Sequence, residues 1–387
     1  MTGSKMKCGF AITFAFVVLL RLGECADGSY EVSFESYYDI NDGDSSPQER
    51  PLVHLPTQGS FEGDHFAING TDINIMRFLG IKYGNVPIGG RFKRGLHVDL
   101  SHSSRKTDAS KEPMPCPSFP DLDMVMENEA RGINVDDCLT LSVFTRKLQS
   151  ATYLDSNTAV VVYIHGESLF DGSAEEAKPD YLLKNEVVLV SVNYRLAPFG
   201  FLFDNNTHSM PGNVALADLE MALQWISKNI IFFGGDPNNI SIMGQSGGAT
   251  LAHALALSGK AKQYFHKMIL MGGTALNPYL IEDNAEKTAI EIAKHANCRV
   301  YRLDDVGRCL YNKKSSEILR AFYNYKKEHS FNGGNKIIVG DLYNFIPKHP
   351  ALMIKDPERQ LNIPLLAGVT QHFGAYLISS GFLSILI

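Results

Sequence analysis

Clusters of basic residues are missing from this chain. Lys and Arg number 36 against 42 Asp and Glu, a formal charge of −6. Nowhere do they gather as phosphate neutralisation requires, which argues against nucleic acid as a partner. Long apolar runs are missing too. The stretches at the two ends, residues 9–20 and 375–387, hold 12 and 13 residues, short of the ~20 that cross a bilayer, so no membrane span is expected. No CxxC and no neighbouring His pair accompany the cysteines, so neither a metal nor a cofactor is expected. Internal repeats and low-complexity tracts are also absent. What remains is a chain of 387 residues, long enough to bury a large core.

The N-terminus carries an export signature. Lys5 and Lys7 precede the apolar run "GFAITFAFVVLL", and the small residues Gly23 and Cys25 suit a cleavage site, so residues 1–25 read as a signal peptide and the mature protein as secreted and extracellular. Of six cysteines, Cys8 and Cys25 leave with the signal. Cys116, Cys138, Cys298 and Cys309 remain as two sequence-local pairs, although four cysteines allow three connectivities. Loops of this size, once closed, stabilise a fold by roughly 3 kcal/mol each in an oxidising compartment. Glycosylation sequons at Asn69, Asn205 and Asn239 fit that compartment, although Asn239 immediately precedes an apparent core strand, which disfavours modification.

Residues 26–54 form an acidic, tyrosine-rich stretch without sustained periodicity, read as a flexible leader. Tyr30, Tyr37 and Tyr38 lie among Glu31, Glu35, Asp39, Asp42 and Asp44, the setting that tyrosine sulfation favours. Sulfate there would suit a basic extracellular protein or matrix partner. Residue 55 opens a region where strands alternate with helices. "AVVVYIH" and "EVVLVSVNY" are β-branched runs of the kind buried on both faces of a parallel sheet. "VALADLEMALQWISKNIIFF" has helical spacing and ends at Gly234-Gly235, "ISIMG" is a short strand, and "GGATLAHALAL" starts a helix. The pattern predicts an α/β fold, a mostly parallel central sheet with helices on both faces. Between that strand and that helix stands "GQSGG", Gly244 to Gly248, which reads as a nucleophile elbow with Ser246 at its tip and the Gly247 N–H as an oxyanion donor.

These motifs, together with "FLGIKYGNVPIGGRF", "DDCLTLSVF", "NYRLAPFGFL" and "IPLLAGVT" in the same order, resemble the type-B carboxylesterase and cholinesterase family. Within it the chain looks most like the non-catalytic insect adhesion and matrix members, of the glutactin and neurotactin type. The resemblance implies an α/β-hydrolase domain over residues 55–387 that lacks its C-terminal third. It also implies disulfides Cys116–Cys138 and Cys298–Cys309 and an ion pair between Arg91 and Asp136.

The departures from the family bear on function. Its enzymes carry a glutamate in a "GVTKDEG"-like motif, where "GVTQHFG" here puts Phe373, and a phenyl ring cannot accept a proton from a catalytic imidazole. The chain ends at Ile387, ahead of the segment expected to hold the histidine. His372 belongs to the acid's loop, and His165 is a packing residue in the family, so neither is expected to replace the base. Asp341 and Glu358 read as solvated carboxylates. Where the family has an "HGGGF" turn whose bare glycines supply two N–H donors, "HGESLF" places Glu167 and Ser168. A carboxylate about 4 Å from a developing oxyanion, at an effective dielectric near 20, opposes it by at most about 4 kcal/mol. Gly272 stands where a pocket serine is usual, and no tryptophan lies between Cys116 and Cys138, the single one being Trp225, so an aromatic choline site is not expected. The first reading is therefore a secreted, catalytically inactive, cholinesterase-like glycoprotein of the matrix or of cell adhesion. The alternatives are a carboxylic-ester hydrolase known here as a truncated chain, and an extracellular carrier of lipids or hormones.

Overall fold

A computed structural model describes residues 49–98, 106–148, 157–166, 168–205, 209–282, 284–300, 303–329, 333–359 and 362–371. Residues 1–25, read from sequence as a signal peptide, together with Tyr30, Tyr37, Tyr38, Glu167, His372, Phe373 and the apolar tail, lie outside the described residues. The chain divides into residues 1–48 and 49–387, and every described residue belongs to the second unit.

That unit is built on an eight-stranded sheet. In chain order its strands are β1 (Asp64–Ala67), β2 (Asn74–Lys82), β3 (Thr140–Thr145), β4 (Thr158–Ile164), β5 (Val187–Val192), β6 (Gly235–Gln245), β7 (Lys267–Met271) and β8 (Leu365–Gly368). The spatial order is β8-β7-β6-β4-β5-β3-β2-β1. From β8 to β5 all pairings are parallel, and from β5 through β3 and β2 to β1 they are antiparallel. Such a parallel core needs covering on both faces, and β4 shows why its run of valines is continuous. Val160, Val162 and Ile164 enter one core with Ala215, Leu216, Leu219 and Ile226, while Tyr163 packs on the other face with Phe144, Leu183 and Leu189.

The helices that matter for the site are α1 (Val214–Asn229), α2 (Gly247–Ser258), α3 (Ala285–His295), α4 (Leu303–Tyr311) and α5 (Ser315–Glu328). α1 runs on into a 3₁₀ turn over Ile230–Phe233, which stops at Gly234 with φ 83°, a left-handed cap that glycine adopts at little cost. β6 then begins at Gly235 rather than Ile240, with a register shift between those residues against β4. Residues 52–54, assigned to the leader by composition, belong instead to a strand. Leu52–Leu55 pairs with Gly59–Glu62, and its alternation buries Val53 and Leu55. That short signal is swamped in sequence by the polar run before it.

Both implied disulfides form, Cys116–Cys138 and Cys298–Cys309. Arg91 pairs with Asp136 at 2.7 Å, donates to the carbonyls of Leu310 and Lys313 at 3.1 and 2.6 Å, and reaches Ser315 Oγ at 3.0 Å. One guanidinium thus caps the end of α4 and the start of α5. Trp225 is engaged in structure, its indole N–H donating to buried Gln58 at 2.9 Å. A second arginine is fully buried. Arg195 forks onto Asp218 of α1, with side-chain exposures of 1% and 0%, and also donates to the carbonyls of Arg91 and Lys93.

A buried ion pair contributes modestly as a unit, but removing one partner strands the other charge. Asp218→Ala is expected to cost about 3–5 kcal/mol of folding free energy, read as a lowered urea midpoint at unchanged slope. A loss below about 1 kcal/mol would show that the pair is not dry.

Candidate functional site

Ser246 sits between the end of β6 and the start of α2 with φ 51° and ψ −117°, a conformation that non-glycine residues rarely adopt. The surroundings enforce it. Its N–H donates to Met271 O at 2.8 Å, and its carbonyl accepts from the Thr250 N–H at 3.1 Å and hydroxyl at 3.3 Å. Backbones close in from each side. A Cβ on Gly244 would fall 2.4 Å from the Gly248 carbonyl, one on Gly248 2.1 Å from Ile164 O, and one on Gly166 2.0 Å from Gly248 N. Glycine at these places is a steric requirement, and the serine is pushed up beyond the strand's end. The Gly247 N–H, at the start of α2, has no acceptor within the helix and can meet a negative oxygen.

The turn after β4 lies against this elbow. Leu169 is fully buried, and its backbone N would be 3.0 Å from a Cβ on Gly247. Ser168 and Leu169 have φ of 51° and 65°, and Ser168 is exposed. Position 168 therefore keeps the left-handed backbone of a glycine turn while carrying a side chain. Gly272, with φ 65°, donates its N–H to Gly368 O at 2.8 Å, joining the ends of β7 and β8. The C-terminal ends of β4, β6, β7 and β8 thus meet at one edge, where open α/β sheets place ligands.

Histidines and carboxylates fall elsewhere. The His165 ring is 1% exposed and stacked on Tyr194 with centroids 4.5 Å apart. Among the described residues its Nδ1 has no hydrogen-bond partner, and burial lowers its pKa to about 3, so it stays neutral. His253, on α2, accepts from the Ala275 N–H at 3.2 Å, and burial lowers its pKa as well. Glu358 is exposed as expected. Asp341 is not the solvated carboxylate its sequence setting suggested. It is buried, accepts from the N–H groups of Phe345 and Ile346 at 3.1 and 2.7 Å, and closes its own turn, with burial raising its pKa. Among the described residues no group of three or more His, Cys, Asp or Glu could hold a metal, and no helix is long and apolar enough to cross a membrane.

The sequons differ in setting. Asn69 is exposed in the turn between β1 and β2, whereas Asn239 lies within β6, its amide oxygen accepting from Lys267 at 2.6 Å. Asn205 is exposed, and the two residues that complete its sequon lie outside the described residues.

A strained serine on a strand–turn–helix elbow, at the C-terminal edge of a mostly parallel sheet, defines an α/β-hydrolase. Residues 49–385 match the carboxylesterase family, and the chain belongs to it. It is 40% identical to glutactin of Drosophila melanogaster over 349 residues, 87% of this chain and 33% of glutactin. It is 29% identical to esterase FE4 of Myzus persicae over 345 residues, 88% of this chain and 58% of the esterase. Acetylcholinesterase of Danio rerio is 31% identical over 345 residues, 86% of this chain and 53% of that enzyme. The chain thus spans a third of glutactin's length and under three-fifths of these esterases.

The neutral His165 makes a pH prediction. Its pKa is about 3 in the folded state against 6.5 ordinarily, so between those values the unfolded chain binds more protons. Stability is then complete above pH ~6.5 and falls by about 1.4 kcal/mol per pH unit below it. His165→Phe keeps the stacking and is expected to flatten that acid slope in urea titrations from pH 7 to 4. Equal slopes in the two proteins would refute the assignment.

Proposed function

We propose that the chain is a secreted, cholinesterase-like glycoprotein that does not hydrolyse esters and acts through its surface, in extracellular matrix or cell adhesion. One observation carries the reading: scaffold and chemistry part company. The glycines whose Cβ would strike the elbow backbone are kept, Gly166, Gly244 and Gly248 among them. The positions that the resemblance assigns to oxyanion binding, pocket and acid hold Glu167, Ser168, Gly272 and Phe373. Identity of 40% to glutactin, against 29% to esterase FE4 and 31% to the acetylcholinesterase, supports the same side. Two disulfides fit an oxidising compartment. The partner is then a protein or matrix component, and the tyrosine-rich leader would add acidic, sulfated recognition.

The alternative, a carboxylic-ester hydrolase, is favoured by the elbow itself, since Ser246 keeps its strained geometry and Gly247 its free helix start. To separate the two, the protein is expressed from its full-length transcript and assayed on short-chain esters, with organophosphate labelling of Ser246. Negligible turnover and no stoichiometric label are expected. Rapid labelling, or turnover abolished by Ser246→Ala, would establish the esterase. Glycopeptide mass spectrometry tests export, with a glycan expected on Asn69 and none on Asn239. An unmodified Asn69 in protein recovered from medium would contradict the glycoprotein assignment.

A further inference from the structure

α5 carries a charge on its buried face. Ile318, Leu319, Phe322 and Tyr325 recur at helical spacing, and Lys326 falls in the same stripe, 5% exposed. Its Nζ lies 5.6 Å from the Phe170 ring and 5.7 Å from the Phe322 ring, distances at which aromatic faces attract a cation. It donates to Asn335 Oδ1 at 2.8 Å and to Gly333 O at 3.4 Å. Asn335, 3% exposed, in turn donates from Nδ2 to the carbonyl of Ser168. Two successive non-glycine residues, Ser168 and Leu169, stand in the left-handed region there. Such a turn persists only when held from outside.

We propose that Lys326 and Asn335 form a proton-dependent brace that positions the turn of Ser168 and Leu169 against the Ser246 elbow. The logic lies in donor and acceptor inventories. An ammonium only donates, so Asn335 must turn its oxygen to Lys326 and its NH₂ to the Ser168 carbonyl. A neutral amine still donates to Asn335 Oδ1, but without the charge that makes the bond strong. The Asn335 amide is then held firmly at one end only, and the anchor on the Ser168 carbonyl loosens.

The charge environment brings this switch into the neutral range. Burial lowers the Lys326 pKa to about 7, and the cation of Lys336 pushes it the same way. Other titratable groups around α5 line a neighbouring cleft of about 400 Å³ with Gly333: Glu282 from the strand Ile281–Glu282, Lys287 and Glu291 from α3, and Tyr325 and His329 from the end of α5. Glu291 is engaged with Lys287 and His329. Among the described residues no carboxylate pairs with Lys326. The brace therefore closes below pH ~7 and loosens above it, whether or not Ser246 turns over substrate.

Hydrogen–deuterium exchange of the peptide spanning residues 166–172 tests this in the secreted protein between pH 6 and 9, with rates corrected for intrinsic pH dependence. Protection is expected to fall about tenfold across a midpoint near 7, the loss of one buried hydrogen bond. Peptides from α2 should show no step. Lys326→Met should abolish the step, and Asn335→Ala should leave the turn fast-exchanging at every pH. A flat corrected profile in the unaltered protein overturns the proposal without any variant. So does a step that survives in Lys326→Met, which would assign the titration to another group.

Discussion

The site rests on an approach of backbone to backbone, where Gly166, two residues past the end of β4, meets the first turn of α2. Gly166 lies so near Gly248 that no Cβ fits between them, and Gly248 is pressed as closely on Ile164 and His165. From this contact the rest of the site follows. It sets where α2 starts and fixes Ser246 in its strained turn. It also brings the turn bearing Ser168 and Leu169 across the helix start. β7 completes the arrangement by accepting the Ser246 N–H through Met271. Because the contact is steric, it holds whether or not a reaction is catalysed.

This separates two kinds of information in a single motif. The glycines of "GQSGG" are demanded by packing, and a chain that gave up catalysis would still need them to close its core. Ser246 is therefore weak evidence for hydrolysis. Positions with no such packing duty are more informative. Ser168 is exposed, so a side chain at the position the resemblance assigns to oxyanion binding costs the core nothing. Glu167 and Phe373 carry the same kind of signal at the level of sequence.

Charge inside the protein is handled in two ways. Arg91 and Arg195 each meet a carboxylate and spend their remaining donors on carbonyls, which ties loops to helices at points far apart in the chain. Lys326 differs, since carbonyl oxygens and aromatic rings surround its ammonium, with no carboxylate among the described residues that meet it. Burial without a counter-charge is what moves a lysine into the range where a cell compartment could switch it.

Much of the fold was legible from residues alone, for local reasons. Valine runs in β4 and β5 announce strands buried on both faces, the stripe of α1 announces its helix, and glycines flanking a serine between strand and helix announce the elbow. Sequence locality favoured the two disulfide pairs among three possible connectivities and the resemblance implied the same ones, whereas the Arg91–Asp136 bridge was legible only by resemblance. Other features were decided by the tertiary structure. Asp341 looks like a surface carboxylate until its turn folds back to donate two N–H groups to it. His165 becomes a neutral, stacked residue only once Tyr194, 29 positions on, covers it. Lys326 could have been noticed as a charge in the apolar stripe of α5, but its partners could not. Asn335 reaches Ser168 across 167 positions of chain, and a hydrogen bond between residues so separated leaves no periodicity in sequence. Local propensity and steric need are written along the chain; which buried polar groups find one another depends on how the elements pack.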